Sequence, residues 1–211
     1  MKENWDNFWV KNKDTRFTSL SWSKKRMIEV LNKYMARDLV VLDAGSGSGF
    51  FSNYFLSKGC SVYSLDYSES ALEITKISTN NKCARYLKRG LLDPKLGNEY
   101  RSFFDVIFSD GLFEHFSENE QNLIMENFLK MKKPQGLIMT FVPNRFSLWQ
   151  LIRPFFMPQI REIPFIWQKL KKLYAKLEIL QQGGINILPI KWSPDAIAGK
   201  YLGMILYIIG R

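Results

Sequence analysis

The sequence predicts an α/β fold, a doubly wound sheet of mostly parallel strands with helices on both faces. Between residues 39 and 142, short apolar runs alternate with segments that repeat apolar residues at helical spacing. The apolar runs are nearly continuous, as in strands whose two faces are both covered. Two further segments with helical spacing come before the first strand. Together these observations indicate a parallel sheet built from β-α units.

The first helices and strands each follow from a local pattern. Trp5, Phe8 and Trp9 stand at positions i, i+3 and i+4, and the segment SKKRMIEVLNKYM has the same period. Both segments are therefore expected to form N-terminal helices. Strands are expected at LVVLD, SVYSLD, ARYLK, FDVIFSD and GLIMTFV, with helical segments FFSNYFLSK, ESALEITKIS and ENEQNLIMENFLKMK between them.

The later part of the chain is expected to complete the sheet. Ser117 followed by Glu120 predicts a capping box that begins a helix near Glu118. The segment WQKLKKLYAKLEILQQGG predicts a helix that ends at Gly183 or Gly184. A short strand is expected at INILPI, then a helix in SPDAIAGKY with serine as its cap and proline at its first position, and a last strand at MILYIIG. The sheet is thus expected to contain seven strands.

Length and composition indicate one domain in a reducing compartment. The 211 residues, 46% of them hydrophobic, suffice for one core. Cys60, Cys83 and a single histidine lack the spacing of a metal site or of a disulfide framework, so no metal is expected. The N-terminus has no apolar signal segment, and no run of about 18 apolar residues occurs. We therefore expect a cytoplasmic protein, free or attached peripherally to a membrane surface.

The segment 145–176 stands out by its charge and its aromatic residues. The chain carries a net charge of +10, and this segment holds many basic residues but a single acid, Glu162. Three interpretations stay open: an apolar lid over a lipid-like or aromatic substrate, an interfacial patch on an anionic membrane, or a core element with a solvated helix face. RNA binding is a weaker fourth interpretation. The aromatic residues are Phe146, Trp149, Phe155, Phe156, Phe165 and Trp167, and the prolines that exclude one continuous helix are Pro154, Pro158 and Pro164.

A glycine-rich turn follows the first strand in LVVLDAGSGSGFF. Gly45, Gly47 and Gly49 have the spacing G-x-G-x-G, whereas a dinucleotide-binding turn needs a glycine where Phe50 stands. The lysine and hydroxyl residue of a phosphate-binding P-loop are also missing from this turn. Asp43 at the strand end would repel a phosphate and attract an ammonium or sulfonium group. The turn therefore favours a cationic nucleoside.

Two further acids follow the next strands. Asp66 ends the second strand, where a carboxylate can accept both hydroxyls of a ribose, and Tyr67 follows it. Asp93 in LLDP can accept an exocyclic amine such as adenine N6, with Leu91 and Leu92 as apolar walls. For the acids after the first two strands the alternative is helix capping, and for the third it is a turn that starts at Asp-Pro.

These pieces, in this order, resemble the class I S-adenosylmethionine-dependent methyltransferases, in particular their small-molecule branch. The resemblance covers residues 25–145 and includes VLDAGSGSG, LLDP, FDVIFSDGLFEHF and GLIMTFVPN. It implies a Rossmann-like sheet in the order 3-2-1-4-5-7-6 with the last strand antiparallel, an insertion after the fifth strand, and S-adenosylmethionine as the cofactor. The residues expected to bind this cofactor are Asp43, Ala44, Gly45, Ser46, Gly47, Gly49, Asp66, Tyr67, Leu92, Asp93 and Ser109.

The only histidine of the chain, His115, lies beside Glu114 after the fourth strand. An imidazole can accept a proton from a hydroxyl nucleophile near neutral pH, so His115 is the candidate catalytic residue. The alternative is an anchor that holds the loop, because the pair Glu-His is widespread at this place in the resembled family. The NPPY-like tetrapeptide with which amine-methylating relatives hold their target is replaced by SDGL, which disfavours methylation of a flipped base.

The expected function is transfer of a methyl group from S-adenosylmethionine to a small hydrophobic or lipid-like acceptor, at oxygen or carbon. The alternatives are a non-catalytic module that binds S-adenosylmethionine or a membrane surface, and an RNA methyltransferase. Positioning of the acceptor and exclusion of water are expected to supply most of the rate. The expected partners are the small-molecule substrate and, through residues 145–176, a membrane surface, whereas nucleic acid is disfavoured.

One methyltransferase domain is expected over residues 1–211. Its parts would be an N-terminal helical lid at 1–36, a cofactor-binding core at 37–144, a substrate-side insertion and helix at 145–182, and closing strands at 183–211.

Overall fold

One sheet organises the described part of the chain, which comprises residues 5–11, 19–151 and 162–211 of a computed structural model. Its strands are β1 (Val40–Ala44), β2 (Ser61–Asp66), β3 (Arg85–Lys88), β4 (Phe104–Asp110), β5 (Lys132–Pro143), β6 (Ile179–Ile185) and β7 (Ile205–Gly210). Their order is β3-β2-β1-β4-β5-β7-β6. Strands β1 to β5 run parallel, and β7 is antiparallel to both β5 and β6. The expected fold class and strand order are confirmed.

The helices connect the strands and cover both faces of the sheet. They are α1 (Trp5–Lys11), α2 (Trp22–Leu31), α3 (Phe50–Ser57), α4 (Glu69–Ser78), α5 (Pro94–Glu99), α6 (Glu118–Met131), α7 (Trp167–Leu173) and α8 (Asp195–Leu202), with a 3₁₀ turn at Phe113–His115. The expected capping box begins α6: the Ser117 amide donates to Glu120 Oε2 at 2.9 Å, and the Glu120 amide donates to Ser117 Oγ at 3.4 Å. None of the helices described reaches the length and hydrophobicity of a membrane span.

The central strands β1, β4 and β5 contribute to a core on each face of the sheet, which explains why they are nearly continuous apolar runs. In β1, Val41 packs with Phe55 of α3, whereas the next residue, Leu42, packs on the other face with Phe128 of α6. All four side chains are buried. The chain turns from one half of the sheet to the other between β1 and β4, so the carboxyl ends of these strands flank the crevice where open α/β sheets bind ligands.

The segment after α7 differs from the expectation. The helix predicted to continue to Gly183 or Gly184 ends earlier, and these glycines lie inside β6; both that helix end and the strand predicted at INILPI are wrong. A Cβ on Gly183 would stand 2.9 Å from the Tyr207 ring, and a Cβ on Gly184 would overlap the carbonyl oxygen of Gly199. The glycines therefore mark close packing of a strand rather than the end of a helix.

The described residues of segment 145–176 divide into an exposed part and a buried part. Phe165, Leu170 and Tyr174 are fully buried, whereas Phe146 near the start of the segment is exposed. The part around α7 is therefore a core element with one solvated face. Residues 152–161 lie outside the described residues, and with them Arg153, Pro154, Phe155, Phe156, Pro158 and Arg161.

Candidate active site

The glycine-rich turn has the backbone geometry that its three glycines permit. Gly45, Gly47 and Gly49 all have positive φ angles, of 77°, 51° and 71°. A Cβ on Gly49 would stand 2.7 Å from the Cα of Thr75 in α4. The amides of Gly45 and Ser46 both donate to the Leu65 carbonyl oxygen, at 2.8 and 3.0 Å. The turn is thus held against the end of β2 and packed on α4.

Asp66 ties this turn to the start of α4. Its Oδ2 accepts a hydrogen bond from the Gly47 amide at 2.9 Å, and its Oδ1 accepts one from the Ser68 amide at 2.9 Å. The side-chain cap of α4 is Ser68, whose Oγ accepts from the Ala71 amide at 3.1 Å. Burial raises the pKa of Asp66, against the effect of these amide hydrogen bonds. Capping of α4, the alternative role for Asp66, is therefore performed by the side chain of Ser68.

Asp43 is buried beneath the turn, with 2% of its surface exposed. Ser52 in α3 donates to its Oδ2 at 2.6 Å, and the same hydroxyl lies 2.7 Å from Ser64 Oγ. Gly49 occupies the N-cap position of α3 and provides no side-chain cap, whereas Asp43 also accepts a hydrogen bond from the Ser52 amide in the first turn of that helix, so Asp43 takes part in capping α3. Burial raises the pKa of Asp43 to about 7; the hydrogen bonds from Ser52 act against this rise, and the charges of Asp110 and Asp66 add to it.

A third carboxyl group, Asp110, was not singled out from the sequence. It ends β4, the strand next to β1, and burial raises its pKa to about 7. Lys24 of α2 approaches the same region: its Nζ donates to the Ser19 carbonyl oxygen at 2.9 Å and lies 4.1 Å from the centre of the Phe50 ring. Burial lowers the pKa of Lys24 to about 8, against the attraction of Asp110. An acid that closes an apolar strand, in FDVIFSD, was the available sequence signal.

The three carboxyl groups make the crevice a fit for a cationic nucleoside. Asp43, Asp66 and Asp110 lie at the carboxyl ends of three neighbouring parallel strands, β1, β2 and β4. Desolvation disfavours the charged form of each carboxyl group. A bound ammonium or sulfonium group would offset that cost, whereas a phosphate would add to it. The absence of Cβ atoms in the glycine turn lets Trp9 of α1 pack on Gly47 and α4 pack on Gly49. The residues present therefore fit S-adenosylmethionine.

Helix α1 lies over this crevice and contacts three of its loops. The indole of Trp9 is 2.7 Å from where a Cβ of Gly47 would stand. Asp6 Oδ1 accepts a hydrogen bond from Ser68 Oγ at 2.6 Å. The Trp5 ring meets the His115 ring edge to face, with 4.8 Å between centroids. The N-terminal helix thus covers the carboxyl ends of β1, β2 and β4.

His115 ends the 3₁₀ turn after β4, beside the buried Glu114. The contact between the His115 ring and the Trp5 ring agrees with the interpretation of His115 as an anchor of the loop. The role of His115 as a catalytic base stays a prediction. Atoms of Glu114, His115 and Glu162 lie within 4.8 Å of one another, although the residues sit far apart in the sequence. The Ile163 amide also donates to the Glu114 carbonyl oxygen at 2.9 Å, and Phe165 forms an isolated β-bridge with Asn144. These contacts hold the segment around Ile163 against the loop that follows β4.

Asp93 is already engaged by two partners. Its Oδ1 accepts from the Lys95 amide at 2.9 Å as the N-cap of α5, and its Oδ2 accepts from Arg89 at 2.7 Å. These bonds lower the pKa of Asp93, the Lys95 amide most. Leu92 packs against the core beside it. Contact of Asp93 with an adenine amine stays a prediction. The amine would compete for this carboxylate with the Lys95 amide that it caps and with its ion pair to Arg89.

The remaining expected cofactor residues are placed by the strands they belong to. Ser109 is fully buried in β4, and its Oγ donates to Thr140 Oγ1 in β5 at 3.3 Å. Because the side chain is engaged within the sheet, only the backbone of Ser109 is left to contact a cofactor. Ala44 is fully buried at the end of β1, and Ser46 Oγ lies 3.4 Å from Thr75 Oγ1. Tyr67 follows β2 with half of its surface exposed.

A family model described as a methyltransferase domain matches residues 42–140. A ubiquinone biosynthesis O-methyltransferase of Bartonella tribocorum is 31% identical over 110 residues, which cover 51% of this chain and 42% of that protein. The protein of the same name from Bartonella bacilliformis is 28% identical over 114 residues, which cover 54% and 45% of the two chains. The chain spans less than half of the length of these curated relatives.

Solved structures share the whole fold at low sequence identity. An S-adenosylmethionine-dependent methyltransferase from Anabaena variabilis matches with a TM-score of 0.70 and 21% identity, covering 98% of this chain and 93% of that one. The N-methyltransferase NodS of Bradyrhizobium japonicum, in complex with S-adenosyl-L-homocysteine, matches at 0.69 and 13%, covering 99% and 98%. The 1,6-didemethyltoxoflavin-N1-methyltransferase of Burkholderia thailandensis matches at 0.70 and 17%, covering 98% and 86%. At such identities the likeness shows the fold.

Proposed function

We propose that the chain is a class I S-adenosylmethionine-dependent methyltransferase that uses S-adenosylmethionine to methylate a small hydrophobic acceptor, on the support of the methyltransferase-domain model that matches residues 42–140. The observation that carries the proposal is the group of three carboxyl groups around the glycine turn, at the crevice between β1 and β4, of which Asp43 is buried and Asp66 and Asp110 are half-buried. The acceptor atom is an oxygen or a carbon. The two Bartonella relatives, which are O-methyltransferases by name, favour oxygen.

In this site, the cofactor supplies a methyl group already activated on a sulfonium. Asp66 would hold the ribose hydroxyls, and the backbone of the glycine turn would lie against the methionyl part. Asp43 and Asp110 would offset the positive charge, since the buried Asp43 and the half-buried Asp110 lie at the carboxyl ends of neighbouring strands. The residues of this chain then contribute by orientation of the acceptor and by desolvation, not by a strong covalent step.

Helix α1 would act as the lid that excludes water. It joins the glycine turn, the start of α4 and the loop after β4 through Trp9, Asp6 and Trp5, respectively. A reaction between a sulfonium and a weak nucleophile benefits from a dry site because electrostatic interactions strengthen there. Residues 1–36 therefore serve as the lid, residues 37–144 as the cofactor core, and the later segments as the acceptor side.

Cofactor affinity should fall as the pH drops through 7. At pH 6 the carboxyl groups of Asp43 and Asp110, with pKa values of about 7, are mostly protonated, and a bound cation favours their ionised forms. For each proton released on binding, the dissociation constant of S-adenosylmethionine should increase about tenfold between pH 8 and pH 6. Calorimetry at both pH values checks this, with Asp43→Asn expected to flatten the dependence. An affinity that does not change with pH contradicts the cationic pocket.

The same groups should make the ligand-free protein less stable as the pH rises. Their pKa in the folded state lies above the ordinary value of 3.8, so their contribution to stability is complete below about pH 4 and is lost as the pH rises through 7. The gain in melting temperature on adding S-adenosylmethionine should accordingly be larger at pH 8 than at pH 6. NAD, which brings a pyrophosphate, should produce no gain at either pH.

Replacement of His115 distinguishes a base from an anchor. A catalytic base predicts that turnover falls about 100-fold in both His115→Ala and His115→Phe, with cofactor affinity preserved. The phenylalanine variant is the matched control, since it can keep the edge-to-face contact with Trp5. A loss below about fivefold in His115→Phe would remove the base and leave the anchor.

Turnover itself tests the proposal. The protein is incubated with S-adenosylmethionine that carries a labelled methyl group, in three separate mixtures that contain apolar hydroxylated compounds, water-soluble metabolites or RNA as the acceptor. We expect label in the apolar compounds together with release of S-adenosylhomocysteine. Label only in RNA would replace the proposal by an RNA methyltransferase, and cofactor binding without release of product from any mixture would replace it by a non-catalytic module.

A further inference from the structure

Exposed apolar side chains concentrate on one side of the molecule. Most of the large exposed hydrophobic residues in the described ranges belong to segments 20–22, 146–151 and 188–202, whose exposed side chains are here called the apolar rim. The most exposed include Leu151 at 72%, Trp192 at 80% and Ile197 at 87% of their surface. Soluble proteins rarely expose so many large apolar groups together, and such patches mark interaction sites.

Direct contacts join the three segments of the apolar rim. Trp22, Trp149 and Pro189 line one shallow groove. Asn144, which precedes segment 146–151, donates from Nδ2 to the Tyr201 carbonyl oxygen in α8 at 2.9 Å. Arg26 of α2 donates to the carbonyl oxygens of residues 188 and 190, the first at 2.9 Å. The apolar rim is therefore one surface, built from segments that are distant in the sequence.

A fixed scaffold presents these side chains. Asp195 at the start of α8 accepts from the amides of Asn186 and Ile187 at 2.8 and 2.9 Å, and Arg26 Nε lies 3.1 Å from its Oδ2. The loop that carries Trp192 is thus tied at both ends. Exposure of its apolar side chains follows from where the backbone is held, and not from a lack of anchoring contacts.

Lysines accompany the exposed aromatic rings of the apolar rim. Lys191 Nζ is 5.5 Å from the centre of the Trp192 ring, and Lys25 Nζ is 4.6 Å from that of Trp22. Lys200 Nζ lies between two rings, 5.9 Å from that of Tyr201 in the rim and 4.9 Å from that of the half-buried Trp167. The carboxylate of Asp195, within the same segments, is neutralised by Arg26. A surface of aromatic, aliphatic and cationic groups in a chain of net charge +10 is complementary to anionic lipid.

The apolar rim adjoins the crevice of the candidate site. Helix α2 places the Lys24 ammonium 4.1 Å from the centre of the Phe50 ring, directly after the glycine turn, while Trp22 and Lys25 of the same helix lie on the side of the rim. Segment 146–151 begins directly after β5, at the carboxyl edge of the sheet. A surface that touches the rim would therefore lie beside the place where an acceptor must enter.

We propose that the apolar rim seats the protein on membranes that contain anionic lipid, with Trp192 and Ile197 entering the headgroup region and Lys191 and Lys200 at the lipid phosphates. Docking stands on the surface alone, whereas delivery of an acceptor from the lipid phase rests on the proposed function. A membrane contact at residues 145–176 is one of the interpretations that the sequence leaves open. The proposal keeps only 146–151 of that segment and adds 20–22 and 188–202, because Leu170 of α7 is fully buried and Lys172 is 2.9 Å from Glu118.

Co-sedimentation with vesicles tests the docking. The whole protein should bind vesicles of phosphatidylcholine mixed with phosphatidylglycerol and bind phosphatidylcholine alone much less. Trp192→Ser combined with Ile197→Ser should lower partitioning at least about tenfold at both low and high salt, since buried apolar area resists screening. The matched control is Ile77→Ser with Leu123→Ser, which removes exposed apolar groups outside the rim and should leave partitioning unchanged.

The lysines should act at low salt only. Lys191→Gln with Lys200→Gln should weaken binding to anionic vesicles at low ionic strength by about tenfold or more, and Lys82→Gln with Lys95→Gln, near the opposite edge of the sheet, should do so far less. Equal effects of the two pairs would reduce the attraction to net charge and overturn the seated orientation. Failure of the unaltered protein to bind, or a self-association that the Trp192 variant abolishes, would overturn docking.

Calorimetry with S-adenosylmethionine on every variant keeps the two proposals apart. If vesicle binding fails while the cofactor binds, docking falls and the methyltransferase proposal stands. If docking holds while no compound dissolved in the vesicles is methylated, the lipid-phase acceptor falls and the docking surface stands.

Discussion

Replacing Asp66 by alanine should weaken S-adenosylmethionine binding by roughly 2 to 3 kcal/mol, or about 30- to 150-fold in dissociation constant. The carboxylate already orients two amides, of Gly47 and Ser68, and its position at the end of β2 leaves it facing the turn that a ribose would approach. Calorimetry measures the loss. Circular dichroism should show that the fold persists, because the cap of α4 is supplied by Ser68.

Ser117→Ala is the control for Asp66→Ala. It removes the side-chain cap of α6, which accepts from the Glu120 amide, so it should lower the free energy of unfolding by on the order of 1 kcal/mol. Its effect on cofactor affinity should be much smaller than that of Asp66→Ala. An Asp66 variant that keeps its affinity and loses only thermal stability would contradict ribose binding and return this carboxylate to a structural role.

Gly49→Ala should destabilise the protein by roughly 2 to 4 kcal/mol. Its φ angle of 71° is costly for a residue with a side chain, and a new Cβ would stand 2.7 Å from the Cα of Thr75. That contact is with backbone, so α4 must move away from the turn. Urea unfolding gives the change in stability, and cofactor binding should weaken with it because the turn shifts.

Gly90→Ala is the control for this substitution. No atom lies within 4 Å of a Cβ built on Gly90, and its φ angle is not positive. The stability of Gly90→Ala should therefore stay within about 0.5 kcal/mol of the unaltered protein. If Gly49→Ala were equally mild, the close packing between the turn and α4 would be refuted.

The first half of the fold followed from short-range patterns. Strands β2 and β4 begin and end where the apolar runs SVYSLD and FDVIFSD do, and the cap at Ser117 was evident from Glu120 three residues later. These signals survive because each depends on neighbours within one turn or one strand. The pair Gly183 and Gly184 misled for the same reason: glycine ends helices locally, but here it admits Tyr207 and Gly199 from elsewhere in the chain.

The candidate site was predictable where it follows strand ends and not where distant segments meet. Asp43 and Asp66 stand directly after apolar runs and were expected in the site. Lys24 could not be foreseen there, because only the packing of α2 brings its ammonium group toward Asp110. Asp93 was expected to face a nucleobase, and nothing in LLDP indicated that Arg89 would reach it at 2.7 Å.

By itself, the sequence determined the parallel sheet and favoured a cationic nucleoside, since both depend on residue type at consecutive positions. Only the tertiary structure decided which charges face one another and which apolar groups stay exposed. Burial is the physical reason: it raises the pKa of Asp43 and Asp110 to about 7 and lowers that of Lys24 to about 8. Burial and exposure are properties of the packed chain. Trp192 is therefore exposed while Trp167 packs against the core, although both are tryptophans with lysines nearby in the sequence.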